Sequence, residues 1–281
     1  MKQEYHLYRA KFIKPAQSSF LHDPDTTPAL LLLQSLAEKP SAEFRESFVW
    51  HIGNLTGIEN EITAGYFAIG RITTATIPKF DPLSGNFGDK EDDTSPYTFV
   101  IYDAKIGLMA IRRKSALAPT TQDIAYKIEK LLSQTSTIIK NEVEVLIQLI
   151  PNPDSFLEMV DRAYAVKSFT ASFTGPNPFD ADEFFQKPLS VYLNSANGES
   201  GEATILGVNL NKDVVSAVAR STASTGNGAS AQIQEEEGKR PFTIYLTNNP
   251  VKLVYEEEEI SPKQVLADAR KAYEKVRHER D

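Results

Sequence analysis

The chain contains no cysteine. That removes disulfides, thiolate zinc sites and a cysteine nucleophile together, and it suits a reducing compartment. Histidine is almost as scarce. His6, His22, His51 and His278 are the whole set, and no two stand within four residues of each other, so no metal-binding pair shares one turn of helix or one strand face. Neither glycine-rich phosphate motif is present, and the GNG at 226–228 sits in a small polar tract. The nucleophile elbow G-x-S-x-G is absent as well. The densest apolar run, ALLLLQSLA, falls far short of a membrane span. The opening MKQEYHLYRAKF has no signal-peptide core. The expected location is therefore the cytoplasm.

What is present is ample for a folded core. The 281 residues are 41% hydrophobic and 24% charged, enough to bury apolar surface without staples and long enough for two domains. The net charge is −8, which argues against attraction of the whole surface to nucleic acid but leaves room for a local basic face. Much of the acid is concentrated in GDKEDD at 88–93, EEE at 235–237 and EEEE at 256–259.

Periodicity predicts strands at 4–13, 47–55 (Phe48, Trp50 and Ile52 on one face), 64–77, 142–150, 167–174 and 189–194. Residues 97–113 read as a hairpin turning around Asp103, Ala104 and Lys105. Short strands are expected at TILGVNL, RPFTIYLTN and VKLVYEE. Helices are expected at 25–40 (Thr26 or Thr27 as cap, Pro28 at the first position), after Thr120 (Asp123 in the first turn), at 154–166 (Asp154 or Ser155 as cap), at 211–221 (Asn211 as cap) and from Ser261 to the end. Residues 78–96 have three prolines, two glycines and many acids, and read as a long surface loop. The small polar tract 221–232 reads as flexible.

No internal repeat recurs, and strands and helices mix without strict alternation. The expected class is α+β, with largely antiparallel sheets, packed helices and two domains, 1–150 and 151–281. The boundary is marked by Pro151–Pro153 or Gly175–Pro178. A middle domain inserted between two parts of another is also compatible.

Catalytic chemistry has weak candidates only. Asp81 with the triplet Asp103-Ala104-Lys105 loosely follows the pattern of a metal-dependent nuclease, but the triplet sits where a hairpin turn belongs. Asp180, Asp182 and Glu183 offer oxygen ligands without the glycine and final glutamate of a calcium loop. No metal site, cofactor or catalytic residue is expected. The basic candidates are Arg112, Arg113 and Lys114 at a strand end, with Lys239 and Arg240 beside the polar tract. Lys11, Lys14, Arg71, Lys167 and Arg220 are scattered at element ends, and the final helix adds Arg270, Lys271, Lys275, Arg277 and Arg280.

The stretches FVIYDAKIGLMAIRRKSALAPTTQDIAYKIEKLL and VEVLIQLIPNPDSFLEMVDRAYAVKSFTASFTGPNP resemble the corresponding region of the RexA-like phage-exclusion family, over roughly residues 97–178. The matched positions are Ile106, Gly107, Arg112, Pro119, Thr120, Thr121 and Asp123. The resemblance implies a non-enzymatic, cytoplasmic, homodimeric antiphage protein. Such a protein binds DNA without strong sequence preference and acts with a neighbouring-gene partner of the membrane-embedded kind. The basic surface would then be Arg112, Arg113, Lys114, Lys239 and Arg240. The alternative is an interaction or sensor subunit that recognises a phage or partner protein through 88–93, 221–240 and 256–259.

Overall fold

The computed structural model describes residues 2–13, 27–45, 48–174, 185–246, 249–256 and 260–278. The first half comprises β1 (Gln3–Ile13), α1 (Pro28–Ala37), β2 (Ser41–Arg45), β3 (Phe48–Gly57), β4 (Ala64–Asp81), β5 (Asn86–Thr94), β6 (Tyr97–Asp103), β7 (Leu108–Arg112), α2 (Thr121–Ser133), α3 (Ser136–Lys140) and β8 (Glu144–Leu149). The second comprises α4 (Asp154–Arg162), β9 (Ala165–Thr174), α5 (Gln186–Ser195), β10 (Ser200–Leu206), α6 (Lys212–Ser224), β11 (Ala229–Gln234), β12 (Phe242–Tyr245), β13 (Lys252–Tyr255) and α7 (Pro262–Arg277).

Two sheets, antiparallel in every pairing, make this an α+β protein. The larger runs β13-β1-β7-β6-β4-β3-β2, with β5 added on β4 and β8 on β1. The smaller runs β10-β9-β11-β12. The chain leaves the large sheet after β8 and returns to it at β13, and Pro151 and Pro250 form a single bridge where it leaves and returns.

Strand β1 shows how the layers form. Successive side chains of a strand point to opposite faces. Tyr8, Ala10 and Phe12 join one apolar cluster with Leu32 and Leu36 of α1, Ile124, Ile128 and Leu131 of α2, and Ile138 of α3. Tyr5 and Leu7, on the other face, join a second cluster with Phe169 of β9, Ala231 and Ile233 of β11, Ala219 of α6 and Val265 and Tyr273 of α7. The large sheet is thus covered on one face by helices and on the other by α4, α6, α7 and the small sheet. Each fully buried Leu or Ile contributes about 1.5–3 kcal/mol through burial.

The α2 start follows its sequence signal. Thr120 accepts from the Asp123 amide at 3.1 Å while the Asp123 carboxylate accepts from the Thr120 amide at 3.1 Å, a complete capping box. Thr27, Asn211 and Ser261 cap α1, α6 and α7 as their sequences predict. At α4 the predicted cap is displaced. Pro153 holds the cap position without a side-chain bond, and Asn152 accepts from the Asp154 amide instead.

Three expectations are overturned. Residues 78–96 are not a loop: β4 continues to Asp81 and pairs with β5 residue by residue from Thr73↔Thr94 to Asp81↔Asn86. Alternation arises when one face of a strand is buried, and this ribbon lacks that signal because Phe80, Leu83 and Phe87 are all exposed. Pro78 is tolerated because β4 has a neighbour on only one side there.

Residues 189–194 form a helix rather than a strand. Gln186, Ser190 and Leu193 are buried at helical spacing while Val191 and Tyr192 face out. Residues 221–232 are the end of α6 and most of β11 rather than a flexible tract. Their small side chains let α6 approach the sheet closely. Their hydroxyls bond back to helix carbonyls, Thr222 to Val218 at 2.7 Å and Thr225 to Thr222 at 2.9 Å, so burial leaves them satisfied. Gly226, at φ +73°, turns the chain out of α6. A Cβ there would meet the Gln148 Cβ at 2.9 Å.

Candidate functional site

The predicted basic residues fall in two places on two sheets. Arg112 ends β7, and its carbonyl accepts from Thr98 at 2.9 Å. Arg112 and Lys114 line a shallow cleft with Tyr97, whose ring is half exposed. Arg113 is drawn to Glu4 at 3.8 Å, and Glu4 also faces His6 at 2.5 Å and Lys252 at 3.7 Å. The His6 hydrogen bond, with these cations behind it, holds the Glu4 carboxyl below its usual range. Lys239 and Arg240 lie in the β11–β12 connection. There Lys239 pairs with Glu236 at 2.7 Å, which raises its pKa.

The nuclease pattern is not assembled. Asp103 and Asp81 sit at opposite ends of the 18-residue β4, Asp103 by its pairing with Ala64, a separation on the order of 50 Å along an extended strand. Asp103 is buried and engaged. It accepts from the Lys105 amide at 3.0 Å and from Arg270 at 2.7 Å. Arg270 also forks onto Glu61 at 2.7 and 2.9 Å, so α7 is clamped to the β6–β7 turn and the turn before β4. Both carboxylates raise the pKa of Arg270, Glu61 most strongly. Among the described residues no cluster of three potential metal ligands occurs. Asp180, Asp182 and Glu183 lie outside the described residues, as do Lys14 and Arg280.

A carboxylate–imidazole–hydroxyl chain does form. Glu4 meets His6 Nε2, and His6 Nδ1 meets Thr121 Oγ1 at 2.7 Å, which also meets the Tyr8 hydroxyl at 2.9 Å. Thr121 is buried at the first position of α2. The chain is a polar strut that fixes α2 against β1, with its hydroxyl closed off from substrate.

Two features escaped the sequence reading. The first is the β4–β5 ribbon. Beyond Thr73 it is paired with neither β3 nor β6, and it extends nine residue pairs, about 30 Å. Its end carries Phe80 and Phe87, in contact at 5.0 Å between centroids with their rings tilted by 55° and 52% and 82% exposed, with Leu83 98% exposed in the turn. The β5 sequence, NFGDKEDDT, supplies the acid.

The second feature is a pair of buried cations on β1. Arg9 is wholly buried, donates to the Tyr273 hydroxyl and lies over that ring, 5.2 Å from its centroid. Lys11 is 2% exposed, and its Nζ donates to Thr174 Oγ1 at 3.0 Å and Asn227 Oδ1 at 3.2 Å. Burial, with Arg9 adding to it, pushes its pKa down to about 7. Period-two alternation would have placed both beside Tyr5 and Leu7 on one face. A strand read only for its apolar residues hides them.

No described helix is long and apolar enough to cross a membrane. No curated protein matches the chain. Residues 30–269, from α1 to the middle of α7, match the family described as a domain of unknown function, DUF4747; β1 lies ahead of the matched span. By that match the chain belongs to the DUF4747 family.

Proposed function

We propose that this protein is a non-enzymatic interaction subunit that docks onto a partner protein through the β4–β5 ribbon. The observation that carries the reading is the exposed Phe80–Phe87 pair with Leu83 at the end of a two-stranded ribbon. A lone two-stranded ribbon gains little stability for itself, and a clustered exposed apolar tip is the signature of a contact surface. The apolar tip calls for an apolar socket, and the acid-rich sequence of β5 favours a basic partner. The resemblance of residues 97–178 to RexA-like proteins supports phage exclusion as the setting, the cytoplasm as the location and a neighbouring-gene product as the partner.

The test is co-purification of the neighbouring-gene product with the wild-type chain and with the double variant Phe80→Ser, Phe87→Ser, each treated with nuclease. Loss of the partner in the double variant alone is the expected result. Undiminished co-purification removes the ribbon from the interface. Sedimentation of the isolated protein at several concentrations separates a second copy of the chain from a different partner.

A second reading rests on the Arg112–Lys114 cleft, where two cations flank the half-exposed Tyr97 ring, a combination suited to phosphate and base. In this reading Arg112, Arg113 and Lys114 bind duplex DNA without sequence preference. Salt-titrated binding decides it. Arg112→Glu with Lys114→Glu should weaken binding equally across sequences and flatten the salt slope by about one for each phosphate no longer neutralised. No salt-dependent affinity in the wild type ends it.

A further inference from the structure

Strand β1 has partners along both edges only as far as Arg9. On one side β13 and then β8 accompany it to Ile13, but on the other β7 ends at the Leu108↔Arg9 pair. The Ala10 amide donates the last bond on that side, to the Gly107 carbonyl at 2.7 Å. Gly107 is required there. Its φ is +62°, and a Cβ would lie 2.5 Å from the Ala10 carbonyl oxygen. Beyond this point a cleft of about 370 Å³ opens between β1, the β6–β7 turn and the start of α1.

The walls of the cleft are apolar: Phe12, Pro28, Ala29, Ala104 and Ile106. Its polar lining is Thr27, Thr63 and two lysines, Lys11 and Lys105. Among the described residues no carboxylate lines it. Lys11 is buried and Lys105 is exposed on the turn. An ammonium has three donors, and Thr174 and Asn227 occupy two of those of Lys11 with neutral acceptors.

We infer that this cleft binds a monocarboxylate with an apolar body, the carboxylate meeting Lys11 and Lys105 and the body lying against Phe12, Pro28 and Ile106. Apolar walls with a few convergent polar groups are the usual make-up of a small-molecule site, and the volume falls within the usual range. The two lysines among the described lining residues favour an anion. The lysines supply point charges for an anionic head, and the apolar walls call for a body that inorganic phosphate lacks. The site is separate from the ribbon and does not depend on the role proposed for it.

Calorimetric titration of the intact protein with octanoate tests the inference, with 1-octanol and acetate as controls. Octanoate should bind, and both controls should bind at least about tenfold more weakly, since each lacks either the charge or the apolar body. Lys11→Met should weaken octanoate at least about tenfold and Lys105→Met by a smaller factor, with 1-octanol unchanged in both. Ala29→Trp, at a half-buried first-turn position, should fill the cleft and abolish binding while both lysines remain. Octanol binding as tightly as octanoate, acetate binding as tightly as octanoate, unchanged affinity in Lys11→Met, or no octanoate binding at millimolar concentration would each overturn the assignment.

Discussion

Replacing Lys11 by Met should change how the stability of the protein depends on pH. In the folded chain Lys11 loses its proton near pH 7, whereas an unfolded lysine keeps it to about 10.5. Between those values the unfolded chain binds more protons than the folded one, so this group makes the wild type more stable as pH rises. Below about pH 7 both states carry the proton, and the full cost of the buried ammonium is present.

Met removes the term altogether. Each pH unit is worth about 1.4 kcal/mol, so the stability of Lys11→Met relative to wild type should fall by about 2–3 kcal/mol from pH 7.5 to 9.5. The variant should be the more stable protein at pH 6.5. Lys11 is 2% exposed, so solvent screening takes little from this figure. Among the described residues the groups facing Lys11 are Arg9 on its own strand, Thr174 at the end of β9 and Asn227 in the α6–β11 turn. Urea denaturation of both proteins at pH 6.5, 7.5, 8.5 and 9.5 gives the difference directly, and other titrating groups cancel in it. A difference that stays flat across the four pH values refutes the reasoning, because Lys11 would then be charged throughout and hold a counter-ion.

Arg270→Ala should cost about 2–4 kcal/mol in urea denaturation, because it leaves the buried Asp103 carboxylate without its cation and releases Glu61; Arg270 is itself about one-third exposed, which keeps the loss below that of a fully buried pair. Thr120→Ala should cost about 1 kcal/mol by removing one arm of the α2 capping box, and Thr120→Ser should restore most of it. Gly226→Ala should destabilise by at least about 1 kcal/mol, because the position needs a positive φ and stands against Gln148 and the Leu149 carbonyl. Phe80→Ser with Phe87→Ser should leave the thermal midpoint of the isolated protein within a degree or two, since both rings are largely exposed. A large drop would mean that the ribbon serves the fold rather than a partner.

The α+β class, the paired strands around Asp103 and the caps at Thr27, Thr120, Asn211 and Ser261 were legible in the sequence. These are local matters, decided by hydroxyl and carboxyl groups within three residues of the amides they satisfy and by apolar periodicity along one segment. The misread segments share a different cause. In 78–96 Phe80 and all of 82–88 are exposed at the ribbon's end, so no buried face marks the strands there. In 221–232 the residues are small and polar because α6 lies close to the sheet, a reason visible only once the neighbour is in place.

The proposed sites follow the same division. The sequence by itself determined that no thiol, histidine pair or phosphate loop could serve, and it placed Arg112–Lys114 at a strand end. Only the tertiary structure decided what distant charges face: Glu4 for Arg113, Asp103 and Glu61 for Arg270. It also put Lys11, outwardly one cation among many, in the interior with two neutral acceptors and a cleft beside it. The physical reason is range. Capping and alternation act over a few residues, whereas desolvation and ion pairing depend on groups that the fold brings together from more than a hundred residues apart.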